Sequence, residues 1–153
     1  MMKVVIGSDH GGFRLKQEIK KLLEEMNVEF EDVGCHDPSS VDYPDYAIPV
    51  AEKVAKGEFE RGIVICGTGI GVSISANKVK GIRCALVHDV FSAKATRQHN
   101  DSNVLAMGER VIGPGLACEI VKTWLETEYE GGRHENRLKK ISEYENQGEF
   151  RCC

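Results

Sequence analysis

The feature that most constrains this chain is a regular alternation of short apolar runs with amphipathic segments. Val4–Gly7, Val28–Val33, Gly62–Cys66, Ile82–Val87 and Asn103–Met107 read as five strands. Between the first two, Phe13, Leu15, Ile19, Leu22, Leu23 and Met26 recur mainly at helical spacing, with Arg14, Lys16, Glu18, Lys20 and Lys21 among them. Further helices are expected over Ile48–Lys56, Gly71–Lys78, Val90–Gln98, Pro114–Thr127 and His134–Asn146, and a loop over Cys35–Tyr46. A helix between successive strands returns the chain to the same end of the sheet, so neighbouring strands run parallel and helices cover both faces. The expected architecture is a single α/β domain over residues 1–153 with a three-layer αβα, Rossmann-like or flavodoxin-like fold. Its five-stranded parallel sheet is expected in the order 2-1-3-4-5. In that order the winding reverses between the first and third strands, and ligands bind there, beyond the strand carboxyl ends.

Two loops meet at that crevice, Ser8-Asp9-His10-Gly11-Gly12 and Cys66-Gly67-Thr68-Gly69-Ile70-Gly71. The second presents backbone N–H groups at a helix N-terminus, suited to an anion or a developing oxyanion. Cys66 at its mouth is a candidate nucleophile or proton acceptor, or simply a buried residue ending a core strand. Asp9 and His10 are candidates for acid–base work, against the plainer role of Asp9 as a helix cap. The glycine turn departs from the dinucleotide pattern G-x-G-x-x-G, because Val72 stands where the third glycine belongs, although Asp89 lies near the spacing of a ribose-binding acid. No P-loop motif occurs.

The net charge of −4 gives no electrostatic reason to expect nucleic acid or an anionic membrane as partner. No apolar run approaches the ~20 residues of a membrane-spanning helix. The opening residues Met1–Gly7 read as a strand and not a signal peptide, so a cytoplasmic setting is expected. The six cysteines contain no C-x-x-C pair. Cys84 and Cys118 read as core fillers, and Cys152-Cys153 as a frayed tail. No two of the five histidines share the short helical spacings common among ligands, so no metal or cofactor is expected. His36 and His88 read as surface or loop residues.

Two polar clusters remain. Arg97-Gln98-His99-Asn100-Asp101-Ser102-Asn103 reads as a dense loop whose His99 can exchange protons near neutral pH. In Gly131-Gly132-Arg133-His134-Glu135-Asn136-Arg137, Arg133 and Arg137 are four apart on one helix face. They are either a phosphate grip or a solvated charged face. A thiol, an N–H nest, a histidine and an arginine pair together suit proton transfer on a small sugar phosphate. Aldose–ketose isomerisation needs a base beside the carbonyl, donors for the enediolate and an acid/base to open the sugar ring.

The segments Gly7–Gly12, Asp42-Tyr43-Pro44, Cys66–Gly71, Arg97–Asp101 and Tyr129–His134 resemble, in order and spacing, the type B ribose-5-phosphate isomerases. That family extends to galactose-6-phosphate and allose-6-phosphate isomerases, and the likeness runs from Lys3 to about Glu145. The resemblance implies a metal-independent enzyme interconverting D-ribose 5-phosphate and D-ribulose 5-phosphate through a cis-enediolate. It implies Cys66 as base, Gly67, Gly69, Ile70 and Gly71 (with their neighbours) as the enediolate cradle, and His99 as ring-opening acid/base assisted by Thr68 and Asp9. Asn100 would bind a sugar hydroxyl. Arg133, Arg137, Arg110 and His10 would bind phosphate, and Tyr43 would line the pocket. One branch of the family uses a glutamate as base near the end of the glycine turn, where this chain has Gly71-Val72-Ser73. The resemblance also implies a homodimer, or a dimer of dimers, with active sites shared between chains. The polar final helix, about 134–146, is expected to contribute to that interface. Six-carbon sugar phosphates are the alternative substrates, and a flavodoxin-like nucleotide-binding module is the alternative from another class.

Overall fold

The computed structural model describes residues 2–147, so the Cys152-Cys153 pair lies outside the described residues. Strands β1 (Lys3–Ser8), β2 (Glu29–Asp32), β3 (Arg61–Cys66), β4 (Cys84–Leu86) and β5 (Val104–Gly108) form one sheet, parallel at every pairing. They alternate with helices α1 (Phe13–Glu25), α2 (Pro44–Ala55), α3 (Ile70–Asn77), α4 (Val90–Asn100) and α5 (Pro114–Glu126); α6 (Arg133–Gln147) follows.

Strand side chains alternate between faces, and the sheet accordingly separates two cores. Val4, Ile6, Ile63, Ile65, Leu105 and Met107 pack with α1, α4 and α5, around the fully buried Trp124. Val5, Val64, Cys66, Val104 and Ala106 pack with α2 and α3 through Val50, Val54, Val72 and Ala76. The three-layer expectation holds, and this parity fixes which face Cys66 meets.

The strand order is β2-β1-β3-β5-β4, not 2-1-3-4-5. Burial explains the exchange. Every residue of β5 is buried, as a strand covered on both faces must be, whereas the three residues of β4 are only partly covered. The shorter, wetter strand therefore takes the edge. The reversal between β1 and β3 is untouched.

The outer side of β4 is closed by a side chain. Asn77 donates its amide to the Cys84 carbonyl at 3.0 Å and accepts from the Cys84 N–H at 2.8 Å. At the opposite edge, β2 exposes Glu29 and Glu31.

Among the element boundaries that differ from expectation, two bear on the site. Helix α2 starts at Pro44 rather than Ile48, since a proline in the first turn forgoes only an N–H that has no partner inside the helix. Helix α4 runs through Asn100, so Arg97–Asn100 form its last turn and not a loop; Asp101, at φ 46°, ends it. Arg97 is buried and bonds Asp101 Oδ1 and the Ser102 carbonyl, both at 2.7 Å. Cys84 and Cys118 are half-buried against the two cores, and burial pushes the Cys84 thiol up to about 12.

Candidate active site

Cys66 ends β3 with 5% of its surface exposed, and its Sγ accepts the Gly69 N–H at 3.1 Å. Gly69 can aim that donor because it adopts φ 78°, a left-handed conformation natural to glycine, just before α3 begins. The next N–H, of Ile70, is held by Thr68 Oγ1 at 3.2 Å. The thiol thus sits inside a turn whose donors can face negative charge on sulfur or on a bound oxyanion.

The Asp9 loop lies directly against this turn. Asp9 N–H donates to the Ile65 carbonyl at 3.3 Å, and a Cβ added to Gly11 would come within 3.1 Å of the Gly67 nitrogen. Asp9 is 7% exposed and does cap the turn that precedes α1, accepting the Gly12 N–H through Oδ1 at 3.1 Å. The capping role and a position at the crevice therefore coexist. His10 accepts the Val41 N–H through Nδ1 at 3.2 Å, fixing the ring beside the segment that leads to Tyr43. The Tyr43 ring lies on the first turn of α3, where a Cβ on Gly71 would meet it at 2.7 Å. Arg110 crosses Gly67, with its N–H on the Gly67 carbonyl at 3.0 Å. Asp9, His10, Tyr43, Cys66–Gly71 and Arg110 thus form one cluster.

His99, Asn100, Arg133 and Arg137 do not join it within the chain. A helix between two parallel strands runs back down the sheet, so α4 starts at the carboxyl end of β4 and finishes beside the start of β5. Asn103, just past it, accepts the Gly62 N–H at 2.9 Å through its carbonyl. From Gly62 to Cys66 the strand rises about 13 Å. His99 therefore occupies the end of the sheet opposite Cys66. There it stacks on His134, with ring centroids 4.5 Å apart, at the start of α6. Arg133 and Arg137 are exposed on α6, and Arg137 Nη1 donates to the Arg133 carbonyl at 3.3 Å.

Three residues near the first cluster escaped the sequence. His88 is more than a loop residue: its Nε2 accepts the Gly108 N–H at 3.0 Å. Burial holds its imidazole below its ordinary value, against the opposing pull of Asp89, which suits a neutral acceptor. Glu109 accepts the Leu15 N–H at 2.7 Å and so satisfies the first turn of α1. Leu86 reaches the glycine turn, where a Cβ on Gly69 would meet its Cδ1 at 2.6 Å. Their sequence signal was only position, at or just past the carboxyl ends of strands. Asp89, the candidate ribose acid, caps α4 instead, accepting the Ser92 N–H at 2.6 Å.

The family model described as Ribose/Galactose Isomerase matches residues 4–141. The chain belongs to that family. The isomerase is 51% identical over 145 residues to ribose-5-phosphate isomerase B of Escherichia coli, covering 95% of this chain and 97% of the relative. It is 43% identical over 149 residues to D-erythrulose-4-phosphate isomerase of Pectobacterium atrosepticum, covering 96% and 97%. The solved Clostridium thermocellum ribose-5-phosphate isomerase B superposes with a TM-score of 0.94 at 54% identity, covering 96% of the isomerase and 99% of that chain. The dinucleotide and flavodoxin-like binding readings give way to this membership. Among the described residues of the isomerase, no helix is long and apolar enough to cross a membrane.

Proposed function

We propose that this isomerase interconverts D-ribose 5-phosphate and D-ribulose 5-phosphate, with Cys66 as the base. The thiolate takes the proton from C2 of the open-chain aldose and the carbonyl oxygen at C1 gains the charge. The C2 hydroxyl proton then passes to O1, the proton on sulfur is delivered to C1, and C2 becomes the carbonyl. The observation that carries this reading is the buried Cys66 thiol at the mouth of its glycine turn, with the Gly69 N–H donating to sulfur. Gly67, Gly69, Ile70 and Gly71 stabilise the enediolate, and Thr68 and Asp9 steer the sugar oxygens. Arg110 and His10 serve the phosphate, and Tyr43 closes one wall. The proton transfer needs a base and donors only, so no metal or cofactor enters it.

Ring opening falls to His99, with Asn100, Arg133 and Arg137 at the same end of the sheet. Because that end lies about 13 Å along the strands from Cys66, we assign these four residues to the site of a second copy of the chain. A homodimer with shared sites is supported by the apolar side chains around the glycine turn. Ile70, Ile74 and Leu86 are exposed, and so is Phe91, at 81%, in the first turn of α4. The polar helix α6, carrying Arg133 and Arg137, would complete the neighbour's pocket.

The relative acting on D-erythrulose 4-phosphate marks substrate length as the variable within the family. The test is a parallel assay of ribose 5-phosphate, erythrulose 4-phosphate, allose 6-phosphate and galactose 6-phosphate in the presence of a chelator. The highest kcat/KM is expected for ribose 5-phosphate. A preference for a four- or six-carbon substrate would overturn the substrate assignment, and full turnover by Cys66→Ala would overturn the base.

A further inference from the structure

Three metal-ligating side chains converge where α4 meets α6. His99 is in the last turn of α4, Glu130 is in the connecting segment, and His134 is in the first turn of α6. One ligand atom from each lies within 4.8 Å of the other two. His134 Nε2 and Glu130 Oε2 are 3.6 Å apart. Two ligands ~2.0–2.1 Å from a tetrahedral zinc ion stand about 3.4 Å apart, so this edge of a coordination polyhedron is nearly preset.

The framework behind these atoms is fixed. Glu130 N–H donates to the Gln98 carbonyl at 3.1 Å, tying the connecting segment to the last turn of α4. Gly131 and Gly132, at φ 67° and 59°, turn the chain back, and His134 N–H closes onto the Gly131 carbonyl at 3.2 Å. Tyr129 adds a hydroxyl bond to Glu135 at 2.9 Å. The side chains of His99 and Glu130 are by contrast exposed and can turn. No pair then needs to close by more than about 1.4 Å to reach coordination distance, a movement that rotation of the exposed His99 side chain can supply.

We propose that His99, Glu130 and His134 form a binding site for a divalent ion of the zinc class, and that the ion inhibits isomerisation by capturing the His99 imidazole. The inhibitory half rests on His99 opening the sugar ring. Two imidazoles and one carboxylate favour zinc, nickel or copper over magnesium or calcium, which prefer all-oxygen surroundings. A surface ion pair between Glu130 and His134 would account for the 3.6 Å contact but not for a second imidazole lying against it. The fourth position of a tetrahedral ion stays open to water.

The test titrates the metal-free full-length chain with Co2+ followed by absorption, alongside zinc inhibition of ribose 5-phosphate turnover and its reversal by chelator. Visible cobalt bands are expected without the near-ultraviolet thiolate-to-cobalt band that Cys66 or Cys152-Cys153 would produce. Glu130→Gln is expected to keep metal-free turnover while weakening cobalt binding and zinc inhibition by at least about tenfold, the contribution of even an outer-sphere partner. A thiolate-dominated spectrum, or zinc inhibition unchanged in Glu130→Gln, would assign the metal to cysteine and overturn the site. Cobalt bound by imidazole and carboxylate with turnover unaffected would overturn the inhibitory half. A chain inactive on ribose 5-phosphate would refute the substrate reading, and with it inhibition of that reaction, while the cobalt arm still decides the site.

Discussion

Complementation between two inactive variants probes the proposed sharing of the active site. Cys66→Ala removes the base and His99→Ala the ring-opening group, so each variant alone should be inactive. Gly62 to Cys66 spans about 13 Å of strand, which separates the two positions within one chain. If each site draws Cys66 from one copy and His99 from the other, a mixed dimer holds one complete site and one lacking both groups. Random exchange of equal amounts yields about half mixed dimers, so about a quarter of all sites should be intact. The assay is ribose 5-phosphate turnover after the variants are mixed, dissociated in mild denaturant and reassociated. Recovery near a quarter of the native rate per site is expected, with each variant alone taken through the same cycle as the blank. No recovery, with mixed dimers present by native mass spectrometry, would mean that Cys66 and His99 act in one chain and would refute the assignment of His99 to the neighbouring copy's site.

Three glycines separate stability from activity. A Cβ at Gly108 would come within 2.5 Å of the Thr68 backbone, so Gly108→Ala should destabilise by about 1–3 kcal/mol and lower turnover, read by thermal unfolding and initial rates. Gly113→Ala meets nothing within 4 Å and should leave turnover unchanged. Gly71→Ala instead meets the half-exposed Tyr43 ring, which can swing away; KM should rise with little change in Tm. Asp32 concerns acid stability: burial acts upward on its carboxyl, but hydrogen bonds from Lys16, Lys20 and the Gly34 N–H outweigh it and hold the group below 3.8. A depressed carboxyl contributes stability that is full above its unfolded value and fades as pH falls through the folded one. Asp32→Asn should therefore cost about 2 kcal/mol at neutral pH, because the fully buried Lys16 loses its charged partner at 2.9 Å. Its stability should also fall less than the native chain's on acidification below about pH 4, as measured by denaturant unfolding across pH.

Periodicity made the elements legible because strand and helix bury side chains at different intervals. It carried no information about lateral order, since Ile82–Val87 and Asn103–Met107 read alike until burial distinguished the edge from the centre. The pairing of the Asp9 loop with the glycine turn was legible because both follow strands that flank the reversal. The remoteness of His99 followed from the same rule, yet reading Arg97–Asn103 as a loop concealed that the residue ends a descending helix. The His99–Glu130–His134 cluster was hidden for a different reason. His99 lies far from the other two in sequence and meets them through the packing of α6, and of the segment before it, on α4.

The Asn77 side chain on Cys84 has a bearing on how this chain can associate. By offering one donor and one acceptor in the positions a neighbouring strand would supply, it occupies the backbone pair that would otherwise template an added strand. The other margin carries the ion pairs Lys3–Glu29 and Lys53–Glu31, charged side chains that an added strand would have to desolvate. The sheet is thus terminated on both sides by side-chain chemistry. Copies of the chain are left to meet through helices and loops, so a high local concentration should yield discrete closed assemblies rather than ribbons grown strand by strand.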